Sequence, residues 1–114
     1  MSEQRYFASN EKGEAELNRL KLVEKFYDPT TIRHLEMIGV SEGWSCLEVG
    51  AGAGSVAQWL SSRVGPRGRV VATDLDTRFL HHLSLPNLEI RQHDIMKDDL
   101  ERGRYDLVHC RCLD

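Results

Sequence analysis

The chain has 114 residues, of which 40% are hydrophobic and 29% are charged, and its formal net charge at pH 7 is −3. These values are ordinary for one small globular domain, and the scattered basic residues argue against a nucleic-acid-binding face, which needs clustered positive charge. The first ten residues contain no apolar stretch, and no later segment is long enough to cross a bilayer. We therefore predict a cytoplasmic protein that does not associate with membranes.

The cysteines are Cys46, Cys110 and Cys112. An odd number of cysteines within apolar runs favours reduced thiols over a disulfide framework. The spacings of zinc-binding modules are absent from the sequence, so we expect no metal site.

Two helices are predicted in residues 1–40, which we expect to form an N-terminal helical cap. Asn10 can cap the first helix, whose apolar residues recur at helical spacing. Asp28 and Pro29 are expected to end it and to begin the second helix, with Asp28 as the N-cap and Pro29 at the first helical position. Gly39 then closes the second helix.

Strands alternate with helices from residue 44 onwards. The predicted strands cover residues 44–49, 70–73, 88–93 and 105–112, and helices are predicted over residues 56–64 and 77–83. This alternation predicts an α/β fold with a Rossmann-like, doubly wound parallel sheet, and right-handed crossovers give the strand order 3-2-1-4.

A glycine-rich turn follows the first strand, and residues 48–54 are Glu-Val-Gly-Ala-Gly-Ala-Gly. Glycine permits positive φ and close approach to a ligand at the carboxyl end of a strand. A dinucleotide fingerprint is G-x-G-x-x-G/A, whereas here Gly54 comes one position early and Ser55 takes the last position. An acid at Glu48 is unfavourable beside a pyrophosphate, but it is favourable beside a ligand that carries an ammonium and a sulfonium.

This turn resembles the E/D-x-G-x-G-x-G motif of class I S-adenosylmethionine-dependent methyltransferases, and the resemblance covers roughly residues 42–113. It implies S-adenosylmethionine as the cofactor. In that family the acid, here Glu48, helps to hold the amino end of the methionine part. The loop residues that surround the methionine part correspond to Gly50, Ala51, Gly52 and Gly54.

Two further acids follow strands. Asp74 ends the second strand about 20 residues after the glycine turn, the spacing at which an acid accepts hydrogen bonds from ribose hydroxyls. The resemblance implies the same role, and we include the adjacent Leu75 in the predicted cofactor site. At the end of the third strand the resemblance implies that Asp94 accepts from the adenine amino group and that Ile95 packs on the ring.

The resemblance implies an enzyme that methylates a small-molecule acceptor. Family members usually continue into a fifth, sixth and seventh strand, whereas this sequence ends at Asp114, so we expect residues 41–114 to be a cofactor-binding portion truncated before those strands. No catalytic residue is identified. Two alternatives remain open: a nicotinamide dinucleotide-binding oxidoreductase domain, and a noncatalytic fragment that associates through its open sheet edge. Pairing of two fourth strands would produce a homo-oligomer.

Overall fold

The computed structural model describes the backbone of residues 3–93 and 104–110, and the side chains of residues 13–93 and 104–110. Within these residues a long helix precedes an alternating region of strands and one shorter helix. In chain order the elements are α1 (Glu3–Ile38), β1 (Ser45–Val49), α2 (Ser55–Val64), β2 (Arg69–Asp74), β3 (Leu88–Gln92) and β4 (Leu107–Cys110). The sequence also predicts a polar helical or turn segment over residues 97–102, which lies outside the described residues.

The four strands form one parallel sheet in the order β3-β2-β1-β4, which confirms the predicted topology. Leu47 in β1 lies opposite Val71 in β2 and Val108 in β4. The start of β4 is joined to β1 by two hydrogen bonds: the Ser45 N–H donates to the Asp106 carboxylate at 2.8 Å, and the Asp106 N–H donates to the Ser45 carbonyl at 2.7 Å. Because all four strands are parallel, their carboxyl ends lie along one edge of the sheet.

The sheet buries residues on both faces. One face packs against α2, whose Leu60 and Val64 are fully buried with Val70 of β2. The other face carries Leu47 and Val71, also buried. Residues of a strand alternate between faces, so this double burial explains why β2 is an almost continuous apolar run.

Helix α1 runs without a break from Glu3 to Ile38 and contains Pro29, so the predicted division into two helices is wrong. An interior proline costs about 3 kcal/mol, because it lacks one backbone donor and crowds the preceding turn. Beyond it, Leu35 is only 2% exposed in the core beside Val40. Burying the Leu35 side chain contributes about 1.5–3 kcal/mol, which offsets much of the cost of the proline. No helix in the described part of the chain combines the length and apolar character that a bilayer crossing requires.

The predicted helix at residues 77–83 is also wrong, since this segment forms successive hydrogen-bonded turns. The Leu80 N–H donates to the Thr77 carbonyl and the Leu83 N–H to the Leu80 carbonyl, each at 3.0 Å. Asp76 accepts the Arg78 N–H through its side chain, at 3.1 Å. Such a side-chain bond competes with helical pairing, and a segment this short gains too little to nucleate a helix.

The cysteines depart in part from the sequence-based expectation. Cys46 is a free, buried thiol on β1, as predicted. Cys110 is disulfide-bonded, so the prediction of reduced thiols is wrong at that position.

Candidate functional site

The turn between β1 and α2 depends on left-handed glycines. Gly50, Gly52 and Gly54 have φ angles of 72°, 61° and 92°, a region that residues with a side chain rarely adopt. The N–H groups of Gly50 and Ala51 both donate to the Thr73 carbonyl, at 2.9 Å. These bonds fold the loop against the end of β2 and leave a backbone surface at the carboxyl edge of the sheet.

Asp74, the predicted ribose-binding acid, contacts this loop directly. Its Oδ2 accepts the Gly52 N–H at 2.8 Å, and its Oδ1 accepts the Asp76 N–H at 3.2 Å. A carboxylate offers about four lone-pair positions, so roughly two remain for a ligand. Leu75, the next residue, is 65% exposed. The structure thus brings together the glycine loop and the acid that the sequence identified separately.

Glu48 is buried near the end of β1, with 1% exposure. Its Oε2 lies 2.6 Å from Nδ1 of His109, the residue opposite it in β4. The side chain of His109 is 22% exposed, so the pair extends from the protein interior to the surface. Sequence analysis identified the acid but not this partner, which follows from the parallel register of β1 and β4.

Gly52 and Gly54 are also constrained by neighbouring side chains. A Cβ atom at Gly52 would lie 3.4 Å from Cδ2 of Leu20, which places α1 over the loop. A Cβ atom at Gly54 would lie only 2.5 Å from Cδ1 of Leu83. Gly54 therefore allows the turns after β2 to pack on the loop, a role separate from any contact with a ligand.

Helix α1 also supplies the cap of α2. The N-cap residue, Gly54, has no side chain to accept a hydrogen bond, and the Ser55 N–H donates instead to Oε2 of Glu24 at 3.0 Å. A carboxylate at a helix N-terminus is stabilised by the unpaired N–H groups and the helix dipole. The two residues are 31 positions apart, and no local sequence pattern indicates this contact.

His93 is a further residue that sequence analysis did not assign to the site. It follows β3, and its backbone N–H donates to the Asp74 carbonyl at 3.0 Å. Its side chain is buried, and neither ring nitrogen has a hydrogen-bond partner. The predicted adenine contacts, Asp94 and Ile95, come directly after it and lie outside the described residues.

Comparisons with known proteins agree with this geometry. A family model described as a methyltransferase domain matches residues 46–114. The fold is similar to a SAM dependent methyltransferase from Aquifex aeolicus, with 26% identity, a TM-score of 0.66, and coverage of 83% of this chain and 56% of that one. It is also similar to a protein-L-isoaspartate O-methyltransferase, with 26% identity, a TM-score of 0.57, and coverage of 67% and 26%.

A coclaurine N-methyltransferase bound to N-methylheliamine and S-adenosylhomocysteine shares the fold at 21% identity, with a TM-score of 0.55 and coverage of 85% of this chain and 26% of that one. A search among curated proteins gave no match. The chain spans about half of the length of the Aquifex aeolicus structure to which it is similar. Because the family model covers more than half of the sequence, the chain belongs to the methyltransferase domain family, and its fold is that of the S-adenosylmethionine-dependent members.

Proposed function

We propose that residues 41–114 bind S-adenosylmethionine at the carboxyl edge of the sheet and that the protein transfers a methyl group to a small-molecule acceptor. The observation that carries this proposal is the 2.8 Å hydrogen bond from the Gly52 N–H to the Asp74 carboxylate. This bond holds the carboxylate that we expect to bind the ribose diol against a glycine loop whose backbone is open to close approach. The names of the Aquifex aeolicus protein and of the coclaurine enzyme bound to S-adenosylhomocysteine support the same cofactor.

The residues present fit this cofactor along its length. The backbone of residues 50–54 would hold the methionine part, and the free lone pairs of Asp74 suit two adjacent ribose hydroxyls. Leu75, exposed beside the acid, offers an apolar contact for the nucleoside. Asp94 and Ile95 remain our predicted adenine contacts.

Glu48 supports a cationic ligand over a dinucleotide. Its carboxylate is buried, and charge interactions are stronger in such surroundings than in water. The His109 imidazole hydrogen-bonds this carboxylate and restricts its orientation. An acid at this position favours a ligand that carries an ammonium and a sulfonium over one that carries a pyrophosphate. The cofactor supplies an electrophilic methyl group when bound, and the protein's contribution is to orient the reactants.

The N-terminal region, residues 1–40, acts in this proposal as a cover for the cofactor loop. Leu20 of α1 lies against Gly52, and Glu24 caps α2. A cavity of about 350 Å³ lies between α1, the start of α2 and the turns after β2. Its lining includes apolar Leu17 and Phe79 together with charged side chains such as Lys21. That volume suits a small molecule, which supports a small acceptor.

A homo-oligomer formed through β4 is part of the proposal. Within the described sheet β4 is an edge strand, and its Val108 is 59% exposed. An edge strand with an exposed apolar residue can pair with another copy, and two β4 strands would pair antiparallel about a twofold axis. Sedimentation velocity on the purified chain tests this, because a monomer from micromolar to millimolar concentration would contradict the pairing.

The cofactor proposal is tested by isothermal titration of the purified chain with S-adenosylhomocysteine and, separately, with NAD. We expect S-adenosylhomocysteine to bind and NAD to bind more weakly or not at all. Tighter binding of NAD would contradict the proposal and support a dinucleotide site instead.

A further inference from the structure

The side chain of His93 is buried, and among the described residues it is the buried imidazole whose two ring nitrogens both lack a hydrogen-bond partner. The residue is 7% exposed. A neutral imidazole has one donor and one acceptor, so both of its polar functions are unsatisfied. Each such buried group costs free energy relative to its hydrated state. Groups of this kind are rare in folded proteins and call for a specific explanation.

The position of His93 provides that explanation. Its backbone N–H donates to the Asp74 carbonyl at 3.0 Å, while the Asp74 carboxylate accepts the Gly52 N–H. His93 is therefore joined through one residue to the loop of the proposed cofactor site. It lies at the carboxyl edge of the sheet, where ligands of open α/β folds bind.

We propose that His93 is a cofactor-binding residue whose imidazole hydrogen-bonds the adenosine part of S-adenosylmethionine. A ribose hydroxyl and the amino edge of adenine each present a donor and an acceptor, which match the two unsatisfied ring nitrogens. The inference rests on the proposed function and extends it, because the sequence-based site contains Asp74, Asp94 and Ile95 but not His93. It also explains why a polar side chain occupies a position where an apolar one would make the free protein more stable.

The test combines binding with stability in matched variants. His93→Leu replaces the imidazole with an apolar side chain of similar size, and His34→Leu makes the same change at an exposed histidine of α1. We expect His93→Leu to weaken binding of S-adenosylhomocysteine about tenfold, the loss of one to two neutral hydrogen bonds. Its thermal midpoint without ligand should be equal to or higher than that of the wild type. His93→Asn, which keeps a donor and an acceptor, should recover part of the affinity, and His34→Leu should change neither property.

A second ligand locates the contact on the cofactor. 5′-Methylthioadenosine keeps the nucleoside but lacks the amino acid part, so His93→Leu should weaken its binding by the same factor. Weakened binding of S-adenosylhomocysteine alone would contradict a contact with the nucleoside. Equal affinity of the wild type and His93→Leu for both ligands would overturn the role of His93 while leaving the cofactor proposal intact.

The wild-type protein provides a test that does not depend on folding of the variants. Proton–nitrogen NMR of the histidine rings should show a change in the ¹⁵N shifts of His93 when S-adenosylhomocysteine is added, because its nitrogens gain partners. Unchanged shifts at saturating ligand would overturn the inference. A wild-type chain that binds neither ligand would instead refute the proposed function, and this inference with it.

Discussion

Replacing Asp74 with alanine tests whether one carboxylate both organises the glycine loop and recognises the ligand. The substitution removes the acceptor for the Gly52 N–H at 2.8 Å and for the Asp76 N–H at 3.2 Å. The first bond is partly buried and involves a charged acceptor, so its loss should cost about 1.5–3 kcal/mol. The second is exposed and adds less. The free protein should therefore unfold at a lower denaturant concentration.

The same change should reduce affinity for S-adenosylhomocysteine. Hydrogen bonds from ribose hydroxyls to a carboxylate are charge-assisted, and a loss of about 1.5–3 kcal/mol corresponds to roughly a ten- to hundredfold weaker Kd. Some of the effect comes from the loop, because Gly52 loses the group that fixes its N–H. Asp74→Asn separates the two contributions, since the amide oxygen can still accept from Gly52 but carries no charge.

Isothermal titration and urea denaturation measure the two effects on the same samples. Asp76→Ala is the matched control, because Asp76 forms an exposed ion pair with Arg78, and such pairs contribute at most about 1 kcal/mol. We expect its affinity for S-adenosylhomocysteine to equal that of the wild type. Unchanged affinity in Asp74→Ala together with lost affinity in Asp76→Ala would refute the reasoning and transfer the ribose contact to Asp76.

Two further substitutions and one labelling experiment test other parts of the structure. Gly54→Ala should destabilise the fold by about 2 kcal/mol or more in urea denaturation, because the φ of Gly54 is +92° and the new Cβ would lie 2.5 Å from the Leu83 side chain. The control variant Gly13→Ala, in an open part of α1, should be neutral or stabilising. His109→Ala should lower the free energy of unfolding by about 2–3 kcal/mol, because it removes a hydrogen bond to the buried Glu48 carboxylate. The effects of His109→Ala and Glu48→Gln in a double-mutant cycle should be non-additive, and strict additivity would contradict the contact. Burial, with a smaller contribution from nearby carboxylates, raises the pKa of the Cys46 thiol to about 11, so only about 0.1% of this thiol is thiolate at pH 8. Labelling of Cys46 with iodoacetamide, followed by mass spectrometry, should therefore be slow in the folded protein and faster as the pH rises toward 11. Rapid labelling at pH 8 would contradict this.

The sheet could be predicted from sequence because its signals are local. Each strand is a short apolar run, the intervening turns contain glycine or proline, and right-handed crossovers leave few possible orders. The incorrect predictions concern two segments in which other contacts, tertiary in one and local in the other, outweigh the sequence signal. Pro29 is a local break signal, but α1 continues through it to Leu35, which is buried in the core. A helix is predicted over residues 77–83, but there the Asp76 side chain accepts the Arg78 N–H, which competes with helical pairing.

The candidate site divides in the same way. The glycine loop and Asp74 could be predicted because a sharp strand-to-helix turn requires glycines and the acid follows them at a characteristic spacing. In the structure the hydrogen bond from the Gly52 N–H to the Asp74 carboxylate joins the two. The contact between Glu24 and Ser55 links residues 31 positions apart and could not be inferred from periodicity. The unsatisfied ring of His93 is a property of packing, which sequence patterns do not encode.

The central claim is that S-adenosylmethionine binds against the glycine loop and the end of β2. The most direct test is an amide proton–nitrogen NMR titration of the isotope-labelled chain with S-adenosylhomocysteine. We expect saturable shift changes that are largest at residues 50–54 and at Asp74 and Leu75, with small changes at the exposed outer surface of α1. Saturable changes centred away from the carboxyl edge of the sheet, or no change at millimolar ligand, would contradict it.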